Sequence, residues 1–594
     1  MQSNLDNLFS QAKEGSKFNK LMNMISSKQN ILLAYRNIKS NKGSTTPGVD
    51  SKTIDDYSDM SEDEFVLYFQ KKFENYIPKA VRRVEIPKGF SGKTRPLGIP
   101  CMDDRIVQQC IKQVLEPIME AQFYNHSYGF RPNRSTKDAI ARCAFMINKC
   151  HLHYVVDVDI KGFFDNVNHS KLMKQLWSLG IHDKSVLAII KKILTSEIDG
   201  VGIPNKGTPQ GGIISPLLSN VVLNELDWWI ASQWEDFETK KNYAKIRKSG
   251  QIDYSHKYRA LRTTNLKEVW IVRYADDFKI FCKDYQTAEK IFKAVKMWLM
   301  ERLSLEISED KSRITNLRKK YADFLGIRFK ASKKNNSYVC QSYLTEKAKK
   351  SVIMKLKNQV KRIQKAPSPA EVTKLNSIIM GAHGYYNMAT NVNIDFGEIN
   401  YIVNRTIDIR LRSYLSNKAK PSKTYEKLYG DYKKGIRTAC GVTIFPLYGV
   451  KNKPPMAFSQ NVCNYTKEGR EMIHKKLDGT FQHLIQHLLR TTREDVSVEL
   501  RDNAISHMAG QRGRCYVTGQ LLEVGNMECH HKTPRKQGGT DKYKNLVWIN
   551  SEVHKLVHAT NQETIEKYLN RLELNGIMTK KVNSLRKLVG NFEI

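Results

Sequence analysis

Hydrophobic and polar positions alternate with period two in two stretches that also carry acidic residues. From Val269 to Tyr274, Val269, Ile271 and Arg273 alternate with Trp270, Val272 and Tyr274. Beyond Ala275-Asp276-Asp277, Phe278, Ile280 and Cys282 alternate with Lys279 and Phe281. This spacing predicts a strand, a tight turn and a second strand. The adjacent carboxylates of Asp276 and Asp277 repel one another, so a divalent cation is their natural partner. An ordinary hairpin with a solvated acidic turn would show the same pattern. The stretch Tyr154–Asp165 also alternates, placing Asp157 and Asp159 on one face, opposite Tyr154, Val156 and Val158. If this strand lies beside the hairpin, Asp159, Asp276 and Asp277 can converge on two metal ions. Such a pair clamps the attacking and leaving oxygens of an in-line phosphoryl displacement. The alternative is that Asp157 or Asp159 simply pairs with a nearby lysine.

Helical periodicity appears elsewhere. An apolar helix is expected over Leu217–Leu226. Ile353, Leu356, Val360 and Ile363 form a stripe within Glu346–Ala366, whose remaining positions are mostly lysine and arginine; Pro367 and Pro369 end it. Between them, Lys330–Tyr338 reads as a basic loop. Residues 375–415 continue the helical region, with His383, Tyr385, Tyr386, Arg405, Arg410 and Arg412 interleaving aromatic and cationic positions. That mixture suits RNA, though Tyr385 and Tyr386 fit a core equally well. From about 420 to 505 the chain is basic and turn-rich, with Lys418, Lys420, Lys423, Lys427, Lys433, Lys434 and Arg437.

Charge narrows the partners. The chain has 594 residues, with 97 Lys and Arg against 60 Asp and Glu, a net charge of +37. Such an excess points to a polyanion bound through phosphates, without separating RNA from DNA or from an anionic membrane surface. No run of about 18 apolar residues is present, so no transmembrane segment is expected. The first residues lack a signal-peptide pattern, and the ten cysteines form no C-x-x-C pair, which suits a reducing compartment. The length exceeds what one core supports, so several domains are expected.

These blocks, in this order, resemble the reverse transcriptases encoded by bacterial and organellar group II introns. The resemblance runs over Asn41-Lys-Gly with Pro47–Asp50, Ile86–Lys88 with Lys93–Pro100, Tyr128–Ser135, the strand ending at Asp159, Thr208–Leu218, the Tyr274–Asp277 hairpin, Leu305–Ser312 and Phe324–Gly326. Each block alone is weak; their order is specific. The resemblance implies two Mg²⁺ ions on Asp159, Asp276 and Asp277, and deoxynucleoside triphosphates as substrates. Lys88 and Arg95 flank a Gly-rich turn and suit triphosphate oxygens, unless they belong to a solvated basic loop. Gln210 stands before Gly211-Gly212, where backbone can approach a nucleotide closely, or where the chain merely turns into the next helix. By resemblance Phe164 is the ring under the sugar that excludes a 2′-hydroxyl. Phe163 or Phe164 must in any case serve the core.

The last eighty residues carry a second constellation: Cys529-His530-His531, Gly538-Gly539, Asn545 and His554-Lys-Leu-Val-His558. His554 and His558 share one helical face at a normal ligand spacing. The order resembles an HNH (ββα-metal) endonuclease. By that resemblance His531 is the general base, Asn545 braces its loop, and His530, His554 and His558 bind one divalent ion (Mg²⁺, Mn²⁺ or Zn²⁺). The alternative is a structural zinc site. Intron-encoded HNH domains often carry two C-x-x-C pairs. Here Cys515-Tyr-Val-Thr518 keeps one cysteine, and Asn550-Ser-Glu-Val553 keeps none. Packing by Leu546, Val547, Trp548 and Leu556 is expected to take over.

The expected fold is therefore α+β and multidomain, a right-hand polymerase with four parts. These are a reverse transcriptase over 1–335, a helical thumb/maturase domain over 336–420, a DNA-binding region over 421–505 and an HNH endonuclease over 506–594. The resemblance implies intron RNA and double-stranded target DNA as partners, no membrane, and a bacterial cytoplasm at the nucleoid, with an organellar host as the alternative. A homodimer remains open. Two other functions stay open: an RNA-binding splicing maturase with decayed enzymatic sites, and a stand-alone bacterial reverse transcriptase.

Overall fold

A computed structural model describes the chain except residues 88–91, 93, 247–251, 417–420, 433–434, 475–480 and 491–495. Lys88, Lys93, Lys418, Lys420, Lys433 and Lys434 lie outside the described residues. The architecture mixes helices and strands. The elements that position the candidate sites are, in chain order, α1 (Lys28–Lys39), β1 (Arg82–Pro87), β2 (Thr94–Ile99), α2 (Met102–Glu120), β3 (Tyr154–Val158), α3 (Ser215–Ser232), β4 (Val269–Tyr274) and β5 (Asp277–Cys282). They continue with β6 (Arg313–Asn316), β7 (Ala322–Phe324), β8 (Ile327–Lys334), β9 (Ser337–Leu344), α4 (Glu346–Lys365), α5 (Pro369–Tyr386), α6 (Val392–Arg410), α7 (Val498–Gly510), β10 (Glu528–His531), β11 (Leu546–Ile549) and α8 (Ser551–His558).

These elements fall into two compact units. The first comprises Met1–Ala121, Leu176–Ser215 and Asn464–Ile594. Its spine is α2, buried along almost its whole length, with Ile106, Val107, Cys110, Ile111, Val114 and Ile118 fully covered. β1 and β2 form an antiparallel pair in which Arg95 stands opposite Ile86. The C-terminal part of this unit has its own core of Met508, Cys515, Val517, Trp548, Val553, Leu556 and Val557.

The second unit comprises Gln122–Gln175 and Pro216–Cys463. It is built on an antiparallel sheet with strand order β4-β5-β3-β6. β4 and β5 are buried almost throughout, because apolar residues on both faces are covered. A second antiparallel sheet, β9-β8-β7, follows. The basic loop expected over Lys330–Tyr338 is instead the end of the β8–β9 hairpin. Ile327, Phe329 and Ala331 face the core at period two, while Lys330 between them is half-exposed and Lys333 and Lys334 at the hairpin end are exposed. Asn335 turns the chain at a φ of +52°, a conformation asparagine tolerates.

α4 spans Glu346–Lys365, capped by Thr345 Oγ1, which accepts from Ala348 N at 3.2 Å. Its buried stripe is Ala348, Val352, Leu356, Val360 and Ile363, packed against α5 and α6. Val352 takes the place in that stripe that spacing suggested for Ile353, which is half-exposed. The lysines form the open face. Among the described residues, no helix is long and apolar enough to cross a membrane.

Candidate functional site

β3 and β5 run antiparallel with Val158 opposite Phe278. The next step of that register brings Asp159 beside Asp277. β4 and β5 close on Tyr274 and Asp277, leaving Ala275-Asp276 as a two-residue turn. All three predicted carboxylates therefore stand at one end of one sheet. Burial first, then the neighbouring Asp277 and Asp159, raises the Asp276 carboxyl above its ordinary value. Burial also raises Asp277, with Asp157 and Asp159 adding to it and Lys279 opposing.

Two lysines answer this charge. Lys279 Nζ lies 3.0 Å from Asp277 Oδ1 and is also bonded to Asp157; its side chain is 2% exposed. Lys311 Nζ lies 3.0 Å from Asp159 Oδ2. Both lysine pairings that the sequence allowed are thus present, but on the same sheet end that gathers the three aspartates. Clustered oxygen donors whose ionised forms are unfavourable fit hard divalent cations.

Phe163 is buried in the core. Phe164, on the short helix that follows Gly162, is half-exposed, with its ring 6.4 Å from that of Phe130. Arg95 is exposed on β2. Gln210 is held by its backbone: its carbonyl accepts from Gly98 N at 2.6 Å. Gly211 follows at a φ of +113°, and a Cβ there would stand 2.2 Å from the Gly98 carbonyl oxygen, so only glycine fits.

In the C-terminal part of the first unit, β10 pairs with β11, His531 standing opposite Leu546, and α8 follows directly. His530, His554 and His558 offer ring nitrogens that all lie within 4.8 Å of one another. Among the described residues this is the only group of three or more potential ligands so closely gathered; the three aspartates stand further apart, Asp277 and Asp159 each turned to its lysine. His530 Nε2 is buried with no hydrogen-bond partner. Burial, then the other histidines, pushes His530 down to about 3, and burial lowers His554 and His558. Neutral imidazoles converging on one point, one of them with an orphaned nitrogen, fit a divalent metal.

His531 points elsewhere, its Nε2 lying 2.8 Å from Asp541 Oδ1. Asn545 ties the intervening loop: Oδ1 accepts from Thr533 N at 2.9 Å, and Nδ2 donates to the carbonyls of Thr533 and Thr540, each at 2.9 Å. The one cysteine retained and the positions that replace the second pair have other work. Cys515 and Val553 are core residues, and Asn550 caps α8, its Oδ1 accepting from Val553 N at 2.8 Å. Leu546, Val547, Trp548 and Leu556 are all buried, and Trp548 Nε1 donates to the Ala504 carbonyl at 2.7 Å.

The reverse transcriptase (RNA-dependent DNA polymerase) family matches residues 77–329, the span holding Asp159, Phe164, Gln210, Asp276 and Asp277. Protein YkfC of Escherichia coli (strain K12) is 32% identical over 351 residues, covering 56% of this chain and 89% of its own length. The group II intron-encoded protein LtrA of Lactococcus lactis subsp. cremoris is 31% identical over 430 residues, 62% of this chain and 70% of that one. A putative COX1/OXI3 intron 1 protein of Saccharomyces cerevisiae is 31% identical over 341 residues, 52% of this chain and 39% of its own. The chain belongs to the group II intron-encoded reverse transcriptase family.

In this reverse transcriptase the acidic turn rests on buried residues that no short motif marks. Ala275 adopts a φ of +58°, which costs a non-glycine residue about 1–2 kcal/mol. Arg273 Nη1 holds that turn, donating to the Ala275 carbonyl at 2.9 Å and to Asn220 Oδ1 at 3.0 Å. Arg273 is itself anchored by Asp227, Nε lying 2.8 Å from Oδ1. Gly129 lies flat against the turn: a Cβ there would be 2.2 Å from Ala275 N. Asn220 Nδ2 in turn donates to the Gly129 carbonyl at 2.8 Å. The visible signal was an arginine in a buried strand and an aspartate in an apolar helix, each of which needs a charged partner.

Proposed function

We propose that the chain is a right-hand polymerase of a mobile group II intron. In this reading it copies intron RNA into DNA, binds that RNA to promote splicing, and cuts one strand of target DNA to make the primer. The observation that carries the reading is the presence, in one chain, of the acidic hairpin of a reverse transcriptase and a separate three-histidine cluster on a ββα element. A polymerase that only copied RNA would have no use for the second site.

In the first site Asp159, Asp276 and Asp277 are the residues that would hold two Mg²⁺ ions. Ions bound there stabilise the attacking and leaving oxygens of an in-line displacement. Lys279 pairs with Asp277 and Lys311 with Asp159. Arg95 and Gln210 are assigned, with Lys88, to the incoming deoxynucleotide. Phe164 excludes the ribose hydroxyl. In the second site His530, His554 and His558 would hold one divalent ion, which neutralises charge on the scissile phosphate. His531 takes a proton from water, and Asn545 keeps its loop in shape. The domain division at 335, 420 and 505, with a thumb/maturase segment binding RNA through the basic face of α4, belongs to the same reading. The net charge of +37 supports a nucleic-acid partner.

The test uses the full chain with intron RNA, supercoiled target DNA, Mg²⁺ and deoxynucleotides. Splicing, one nick and DNA synthesis from that nick are expected. His531→Ala should lose the nick while still extending a primer annealed to RNA, and Asp276→Asn should do the reverse. A His531→Ala protein that nicks like wild type would remove the nuclease reading. Extension without splicing would leave a stand-alone reverse transcriptase, and splicing without extension a maturase with decayed sites.

The ring of Phe164 supports a further expectation. Phe164→Val should raise ribonucleotide use relative to deoxynucleotide by about tenfold or more, the scale of a contact worth about 1.4 kcal/mol. Single-nucleotide incorporation with each sugar measures the ratio, and an unchanged ratio would take Phe164 out of sugar selection.

A further inference from the structure

The C-terminal module lacks paired cysteines, and a chain of hydrogen bonds from α1 reaches its centre. α7 lies between the two. On its α1 side, Tyr35 Oη donates to Glu499 Oε2 at 2.8 Å, and Lys39 Nζ lies 2.8 Å from the same oxygen and 3.2 Å from Asp502 Oδ2. Lys39 Nζ also donates to Asn503 Oδ1 at 2.8 Å. Asn503 is 2% exposed, and its Nδ2 donates to the Asp541 carbonyl at 2.7 Å. Asp541 Oδ2 accepts from Ser497, the N-cap of α7, and from Arg535 Nη2 at 2.6 Å; its Oδ1 is 2.8 Å from His531 Nε2. Three hydrogen bonds therefore separate Lys39 from His531.

A carboxylate against one imidazole nitrogen fixes the tautomer. It keeps the proton on the facing nitrogen and leaves the lone pair on the other. Asp541 can do this only if its own orientation is set, and here its carbonyl and both carboxylate oxygens are engaged. We propose that Asp541, Asn503 and Lys39 are positioning residues of the nuclease centre: α1 holds Asn503, Asn503 and Ser497 hold Asp541, and Asp541 holds His531 as the Nε2–H tautomer with Nδ1 free to take a proton. This rests on reading His531 as the general base. It makes α1, a helix that precedes the polymerase sheet in the chain, a structural part of the nuclease.

A second ion pair joins the same segments: Arg501 Nε lies 3.0 Å from Glu62 Oε2. Its atoms are outside the chain that ends at His531, so it separates positioning from mere docking. The full chain is assayed for nicking of supercoiled DNA as wild type, Lys39→Met, Lys39→Arg, Asp541→Asn, Arg501→Gln and His531→Ala. Lys39→Met and Asp541→Asn should lower kcat for nicking by about tenfold or more, with KM for DNA within about twofold. Lys39→Arg should restore it, Arg501→Gln should match wild type, and primer extension should be unchanged in all of them. Metal-free protein labelled with ¹⁵N-histidine supplies a readout independent of turnover. A slowly exchanging His531 Nε2–H should be present in wild type and Arg501→Gln, and absent in Lys39→Met and Asp541→Asn.

Equal loss of nicking in Lys39→Met and Arg501→Gln would reduce the contact to docking and overturn the proposal. So would a Lys39→Met protein that keeps both the signal and the rate. Wild type that nicks only with His531 intact, yet tolerates Lys39→Met and Asp541→Asn, would overturn this inference alone. Nicking that survives His531→Ala would overturn the general-base reading and the inference with it.

Discussion

Asp276→Asn/Asp277→Asn is expected to abolish primer extension on RNA without weakening the fold. Both residues stand on the turn closed by Tyr274 and Asp277, and both have carboxyls raised chiefly by burial. Losing two of the three oxygen donors should lower extension by at least about 10³-fold, or about 4 kcal/mol of barrier. The stability argument has the opposite sign. A carboxyl whose value is raised in the folded chain is stabilised in its neutral form, so its ionised form at neutral pH opposes folding, and a neutral amide removes that opposition. Lys279 keeps Asp157 as its partner in the variant. The melting temperature should therefore be unchanged or higher. Primer extension with Mg²⁺ and deoxynucleotides, run beside thermal unfolding, checks both halves. Extension within about tenfold of wild type would move the reaction away from this hairpin.

Arg273→Met is expected to be the most destabilising single change near the site. Arg273 and Asp227 are almost wholly buried, with side chains 1% and 0% exposed. Burial raises the Asp227 carboxyl, and Arg273 opposes that rise. Removing the guanidinium leaves a buried charge with its main partner gone, at a cost of about 3–5 kcal/mol. It also strips the Ala275 carbonyl and Asn220 of a donor, releasing a turn held at positive φ. Arg273→Met/Asp227→Leu should recover most of the stability, since an apolar pair of similar volume can replace a buried ion pair. Extension should not recover, because the turn still lacks its anchor. Urea midpoints and extension rates for the single and double variants measure the two effects. Recovery of both in the double variant would show that Arg273 serves only the core.

The polymerase blocks were legible because each is short and local. Alternation around Tyr274–Asp277 and along Tyr154–Val158 marks strands whatever lies beside them. The histidines at i and i+4 share a helical face by geometry alone. The β8–β9 hairpin was not legible, because Lys330, Lys333 and Lys334 hide the period of Ile327, Phe329 and Ala331. The stripe of α4 was displaced by one residue at Val352, since a basic helix offers two apolar neighbours and only packing chooses between them.

What the sequence by itself determined is the chemistry available: the acidic hairpin, the paired apolar strands, the histidines and the excess of positive charge. Period and residue type dictate these over ten or fifteen positions. Only the tertiary structure decided which residues answer to one another. Asp227 finds Arg273, Asp157 finds Lys279, and Lys39 reaches Asp541 through Asn503, across separations of 46, 122 and 464 residues for the bonds involved. A buried charge demands a partner, but its own sequence neighbourhood does not name one. That choice is made by the packing that brings distant elements together and excludes water between them.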